Sequence, residues 1–139
     1  MKVEVKITTR PIKRARVWPP ELNGRAGARA EFTGVVRGGE KDRPIAALEY
    51  EAYSPMAENI MRAILHDIGR RHPCLFARVT HRIGLVRVGE VVIHVAAAAP
   101  HRTAALSLVA EFMDRLKQDV PIWKLRALNR EELQGSRLP

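Results

Sequence analysis

Two hydrophobic rhythms run along this chain. The first has period two. Lys2 to Thr8 sets Val3, Val5 and Ile7 on one side of the backbone and polar residues on the other, which predicts a half-buried strand. Gly27 to Val36 and Ile45 to Tyr53 predict two more, the second with Leu48 and Tyr50 opposed to Glu49 and Glu51. Leu75 to Ile83 reads as a further strand, and Val86 to Ala98 holds another, interrupted at Val88-Gly89-Glu90.

The second rhythm has spacings of three and four. Ile60, Ile64 and Ile68 repeat along one helix face, with Met61 and Leu65 beside them. Ser54 is a suitable N-cap for that helix, Pro55 suits its first position, and Glu58 lies in its first turn. From Ala105, the residues Leu108, Val109, Phe112, Met113 and Leu116 form a second buried face. Pro100 places the start of this helix near His101 to Thr103, and Pro121 stops its continuation.

The order β, β, β, α, β, β, α predicts an α+β fold with a largely antiparallel sheet and two main helices. Its strands leave edges open, a setting for sheet extension by a partner. The 139 residues are read as a single domain, 1–139. Residues 10–26, with Pro11, Pro19, Pro20 and Gly24, are read as a loop or a short helix within a loop. Gly38 to Pro44 is read as a flexible connection, and 127–139 as a polar tail that frays.

Composition, apolar runs and charge change this picture in four ways. The single cysteine, Cys74, leaves no intramolecular disulfide to form, which fits a reducing compartment. The longest apolar run, Val91 to Ala99, is broken by His94 and is too short to span a membrane. Met1-Lys2-Val3-Glu4 lacks the apolar core of a secretory signal, so a cytoplasmic protein is expected. The net charge of +9 suggests anionic partners: nucleic acid, an acidic protein or a phosphorylated small molecule. The arginines are scattered, so a solvated basic surface explains the charge about equally well.

Candidate chemistry is uneven. His66, His72, His81, His94 and His101 have no second ligand at zinc-site spacing, so no metal site is expected. Cys74 has no adjacent base and reads as a buried, inert thiol. Gly34 to Gly39 lacks the Lys-Ser/Thr of a phosphate loop. His101 and Arg102 fall where the first N–H groups of a helix are unpaired and its dipole is positive, a ready anion site. Lys117 near the other end of that helix could be an ordinary dipole complement, and Lys124 a stem lying along Trp123. Lysine is scarce in this chain, however, and these two flank Pro121-Ile122-Trp123 in an apolar setting. Amines in such surroundings suit acid–base or nucleophilic work. One cation-rich, partly apolar pocket assembled from this segment is therefore expected.

These residues also carry a family resemblance. In order stand Phe32-Thr33-Gly34-Val35-Val36-Arg37, Leu48-Glu49-Tyr50-Glu51-Ala52-Tyr53 and Met56-Ala57-Glu58. His81-Arg82-Ile83-Gly84, Val88-Gly89-Glu90, His101-Arg102 and Pro121-Ile122-Trp123-Lys124 follow. From about Gly27 to Lys124 the set resembles the large, catalytic subunit of molybdopterin synthase. The resemblance implies an α/β hammerhead fold and a homodimer. It further implies an α2β2 assembly in which each large subunit takes a small ubiquitin-like sulfur carrier. The carrier's C-terminal Gly-Gly thiocarboxylate would enter the pocket, and the substrate would be cyclic pyranopterin monophosphate. Two sulfurs would be added to make the dithiolene, with no cofactor required for the transfer. By motif, Lys117 and Lys124 match the catalytic lysines, and Arg37, His101, Arg102 and Phe32 match substrate-binding residues.

Departures from the family pattern are local. Leu125 and Arg126 stand where a basic and then an acidic residue usually follow Pro-Ile-Trp-Lys, and Leu106 stands where a Phe is favoured. The family's Gly and Trp tail pattern is missing after Lys124. The dimer mate's tail can lend an arginine in this family; this tail carries Arg130 and Arg137, and the sequence does not choose between them. Two other readings compete: a non-catalytic paralogue that binds a ubiquitin-like partner, motivated by Arg126, and a basic nucleic-acid-binding module, motivated by the charge. The second lacks aromatic platforms.

Overall fold

The computed structural model describes residues 1–13 and 17–136. Its central sheet has the order β1 (Lys2–Thr8), β6 (Phe76–Arg82), β8 (Val91–Ala99), β2 (Ala28–Val35). β1 runs parallel to β6, while β6–β8 and β8–β2 are antiparallel. Helices α1 (Met56–Arg71) and α2 (Arg102–Asp119) cover one face. A second sheet has the order β7 (Gly84–Arg87), β5 (Ala47–Ala52), β9 (Ile122–Leu128), all antiparallel. The strand alternation and both helix faces therefore appear where the sequence places them.

The pleat explains the core. Residues 77 and 79 of β6, 93, 95, 97 and 99 of β8, and Ala30 of β2 face the helices. There they meet Ile64, Leu65 and Ile68 of α1 and Leu108, Phe112 and Leu116 of α2. Phe112 is fully buried, so Phe112→Ala should cost about 3–5 kcal/mol. On the opposite face, the loop before β2 folds back over the sheet. Its Leu22 joins Phe76 and Ala98 in a small second cluster. Arg78, on this same face, bonds Glu4 and the Val17 carbonyl.

Four expectations change. Ser54 does not cap α1; Pro55 holds the N-cap position with no side-chain cap bond, and the Ala57 N–H bonds the Tyr53 carbonyl at 2.8 Å instead. Gly38 to Pro44 is not a loose connection but a hairpin, β3 (Gly39–Glu40) and β4 (Arg43–Pro44). Its turn residues Lys41 and Asp42 have φ of 50° and 62°, the left-handed pair of a two-residue hairpin turn. Ile122–Leu128 supplies an unforeseen strand, β9. The tail does not fray over its described part: it forms α3 (Arg130–Ser136), a third helix. Asn129 and Glu132 cap α3 reciprocally at 2.8 and 3.0 Å, and Leu133 packs on Ala47 and Leu128. Asn-x-x-Glu at a helix start was the signal for it. Arg137 lies outside the described residues.

Candidate functional site

Three of the predicted residues, His101, Arg102 and Lys117, stand at the two ends of α2. β8 ends at Ala99 and α2 begins at Arg102, so the chain reverses through Pro100 and His101. Gly27 holds this corner. Its N–H bonds the Ala99 carbonyl at 3.0 Å, and a Cβ there would meet the Pro100 oxygen at 2.4 Å. His101 is the N-cap residue, in extended conformation, and its side chain caps nothing. No acid stands in the first turn, and His101, Arg102 and Thr103 are all exposed. The unpaired N–H groups of the helix thus face solvent beside an imidazole and a guanidinium, a geometry that receives an anion.

Lys117 lies in the last turn of the same helix. Fifteen residues separate it from Arg102, about 22 Å at the rise of an α-helix. The single pocket expected from this segment therefore does not form within one chain. α2 packs back over β8 and β2, so Lys117 sits at the end of the sheet where β2 finishes and Arg37 follows. Backbone bonds fix that corner: Val36 N–H to the Glu90 carbonyl at 3.1 Å, and Gly89 N–H to the Val36 carbonyl at 2.9 Å. Phe32 lies between the two ends, opposite Val95 on the edge strand, and is 39% exposed. Its ring lies over Gly34, where a Cβ would meet Phe32 at 3.4 Å and Ile93 at 2.8 Å. Among the described residues no carboxylate pairs with Arg37, His101, Arg102 or Lys117.

Lys124 is placed by β9, opposite Tyr50. The register of β5 and β9 shifts between Glu49 and Tyr50, so Leu125 is the extra residue of a bulge next to Lys124. A cleft of about 780 Å³ opens here. Lys124, Leu125 and Arg126 form one wall, and Glu40, Lys41 and Arg43 of the hairpin form the other. The Lys124 amine reaches both carboxylate oxygens of Glu40, at 3.1 and 3.2 Å. Arg126 bonds Glu49 at 2.6 Å. Burial, and then the Glu40 charge, push the Tyr50 phenol above its ordinary value. Tyr50 meets His81 edge-on at 5.6 Å, and burial holds His81 below the usual imidazole range.

Glu40, Tyr50 and the bulge were not found from the sequence. Glu40 lies in a Gly-rich polar stretch, and only the hairpin carries it to Lys124. Cys74 is buried, and burial pushes its thiol up to about 11, which fits an inert role. Among the described residues no group of three or more His, Cys, Asp or Glu side chains is placed to hold a metal ion. No helix is long and apolar enough to cross a membrane.

These features define a class: an α+β domain with an anion-receiving helix end on α2 and a separate lysine-bearing cleft between β9 and the β3–β4 hairpin. The chain belongs to the MoaE protein family, whose profile matches residues 7–119. It is 45% identical over 98 residues to the human molybdopterin synthase catalytic subunit, a match covering 70% of this chain and 52% of the human one. It is 36% identical over 121 residues to the Staphylococcus epidermidis catalytic subunit, covering 87% and 81%. The chain spans about half the length of the human and rat relatives it matches. The crystal structure of molybdopterin synthase from Staphylococcus aureus superposes with a TM-score of 0.78 at 32% identity, over 90% of each chain.

Proposed function

We propose that this chain is the catalytic subunit of a molybdopterin synthase. It transfers sulfur from the thiocarboxylated Gly-Gly end of a small ubiquitin-like subunit to cyclic pyranopterin monophosphate. The product is the dithiolene of molybdopterin, made in the cytoplasm by an α2β2 complex. The observation that carries this reading is a pair of cationic sites: the exposed N-terminal end of α2, with no acid in its first turn, and the cleft that holds Lys124.

Each part of the chemistry has a group for it. A cyclic phosphate needs cations and helix N–H groups, which His101 and Arg102 supply, with Arg37 as a further cation. Transfer passes through an adduct at the carbonyl carbon of the thiocarboxylate, whose oxygen gains negative charge. It also needs proton movement at the pterin carbons. Lys117 and Lys124 stabilise that charge and carry those protons. Phe32 offers an exposed ring to the flat pterin. Because Arg102 and Lys117 stand about 22 Å apart on one helix, a complete site pairs the N-terminal end of α2 from one copy with the Lys117 end of a second. Arg130, exposed at the start of α3, is the described tail arginine that a mate could contribute.

The direct test mixes the protein with a thiocarboxylated small subunit and the cyclic pterin, and measures dithiolene product. No product from an intact, partner-bound protein would sink the reading. Light scattering should show a dimer of this chain alone at micromolar concentration; monomer only would remove the shared site.

A further inference from the structure

We infer that Glu40 is the positioning residue for Lys124, fixing where its ammonium stands in the cleft. The inference rests on the sulfurtransferase reading above. Lys124 needs such a device. It projects from an edge strand in which residues 123 to 127 are all exposed, next to a bulge, and its own side chain is 48% exposed. A four-carbon stem in that setting keeps many rotamers open. No wall of β9 restrains it.

Glu40 supplies the restraint from across the cleft. Both of its oxygens lie within 3.2 Å of the amine, and its side chain is the more buried partner, 25% exposed. Its backbone is held by pairing with Arg43 across the tight Lys41-Asp42 turn, and by the Ile45 N–H bonding the Gly38 carbonyl at 3.1 Å. Tyr50, the residue facing Lys124 on β5, has its phenol raised first by burial and then by the charge of the same carboxylate. A half-exposed ion pair adds little to stability. Its consequence is geometric: an amine misplaced by about 1 Å at a reacting centre loses up to about a hundredfold in rate. Of the two acids on β5, Glu49 is occupied by Arg126 and Glu51 stands opposite Trp123, not Lys124.

The test is single-turnover dithiolene formation with saturating thiocarboxylated partner and pterin, for the wild type, Glu40→Gln, Lys124→Ala and the double variant. Glu40→Gln is isosteric and removes the charge. It should slow turnover by about tenfold or more, with pterin and partner affinities within about twofold of wild type. On the Lys124→Ala background the same change should do nothing further, since the residue it positions is gone. Glu40→Gln that turns over as fast as wild type, or faster, overturns the inference. So do effects of the two substitutions that multiply, or a loss confined to pterin affinity. A wild-type protein that makes no product overturns the sulfurtransferase reading instead, so the two failures are told apart.

Discussion

The two ends of α2 carry side chains of the same sign on backbone of opposite sign. At the C-terminal end the helix dipole is negative, and Lys117 sits where any helix welcomes a cation. At the N-terminal end the dipole is positive, and His101 and Arg102 stand where it disfavours them, with no acid in the first turn to compensate. Charge at the first end therefore says nothing about function. Charge at the second is a liability in the free protein that an incoming anion relieves. Between them the helix is conventional: Arg115 and Glu111 tie it to Asp67 and Arg71 of α1.

The comparison can be broken at the C-terminal end first. If Lys117 is more than a dipole complement, Lys117→Ala and Lys117→Arg should each lose on the order of a hundredfold or more in single-turnover rate, the scale of acid–base assistance. Partner binding should persist, because its contacts spread over a far larger surface. Normal turnover by Lys117→Ala would return Lys117 to the ordinary class.

At the other end, Arg102→Ala should weaken pterin binding by about 1.5–3 kcal/mol, the size of a lost charge-assisted hydrogen bond. Its melting midpoint should stay level or rise slightly, since a cation leaves a positive helix end. Calorimetric titration and thermal melts check both halves. Unchanged affinity would remove the phosphate assignment.

Mixing the two defective proteins sharpens the contrast. In randomly reassorted dimers half are mixed, and each mixed dimer has one of its two shared sites intact, so about a quarter of wild-type rate should return. A site built within one chain would recover nothing, and rate measured after subunit exchange decides.

The smallest effect belongs to the middle of the helix. Arg115, then Arg70, holds the Asp67 carboxyl below the usual carboxylate range. Its folded value lies below its unfolded value of about 3.9, so its stabilisation is complete above that pH and is lost as pH falls through the folded value. Arg115→Ala should lower the melting midpoint slightly at neutral pH and flatten the acid loss, with turnover unchanged. Circular dichroism melts from neutrality to about pH 3 follow this.

Much of this molecule was written in local pattern. Alternation at Val3, Val5 and Ile7, and four-residue spacing at Ile60, Ile64 and Ile68, set strands and helices because burial on one face has one period for each. Pro100 and Pro121 bracket α2 because neither fits inside a helix, and His101 and Arg102 followed as its exposed N-cap and first residue. The tertiary structure alone decided distances. Periodicity says that Lys117 and Arg102 share a helix, and the helix rise alone keeps them about 22 Å apart; that Lys117 meets the end of the sheet where Arg37 follows β2 depends on how α2 lies on β8 and β2. Glu40 reached Lys124 across 84 positions of sequence through a hairpin whose turn strains two non-glycine residues, and nothing local in either stretch encodes the other. Side-chain partners across a sheet are set by register, and a bulge of one residue at Leu125 shifts that register after the local pattern has been spent.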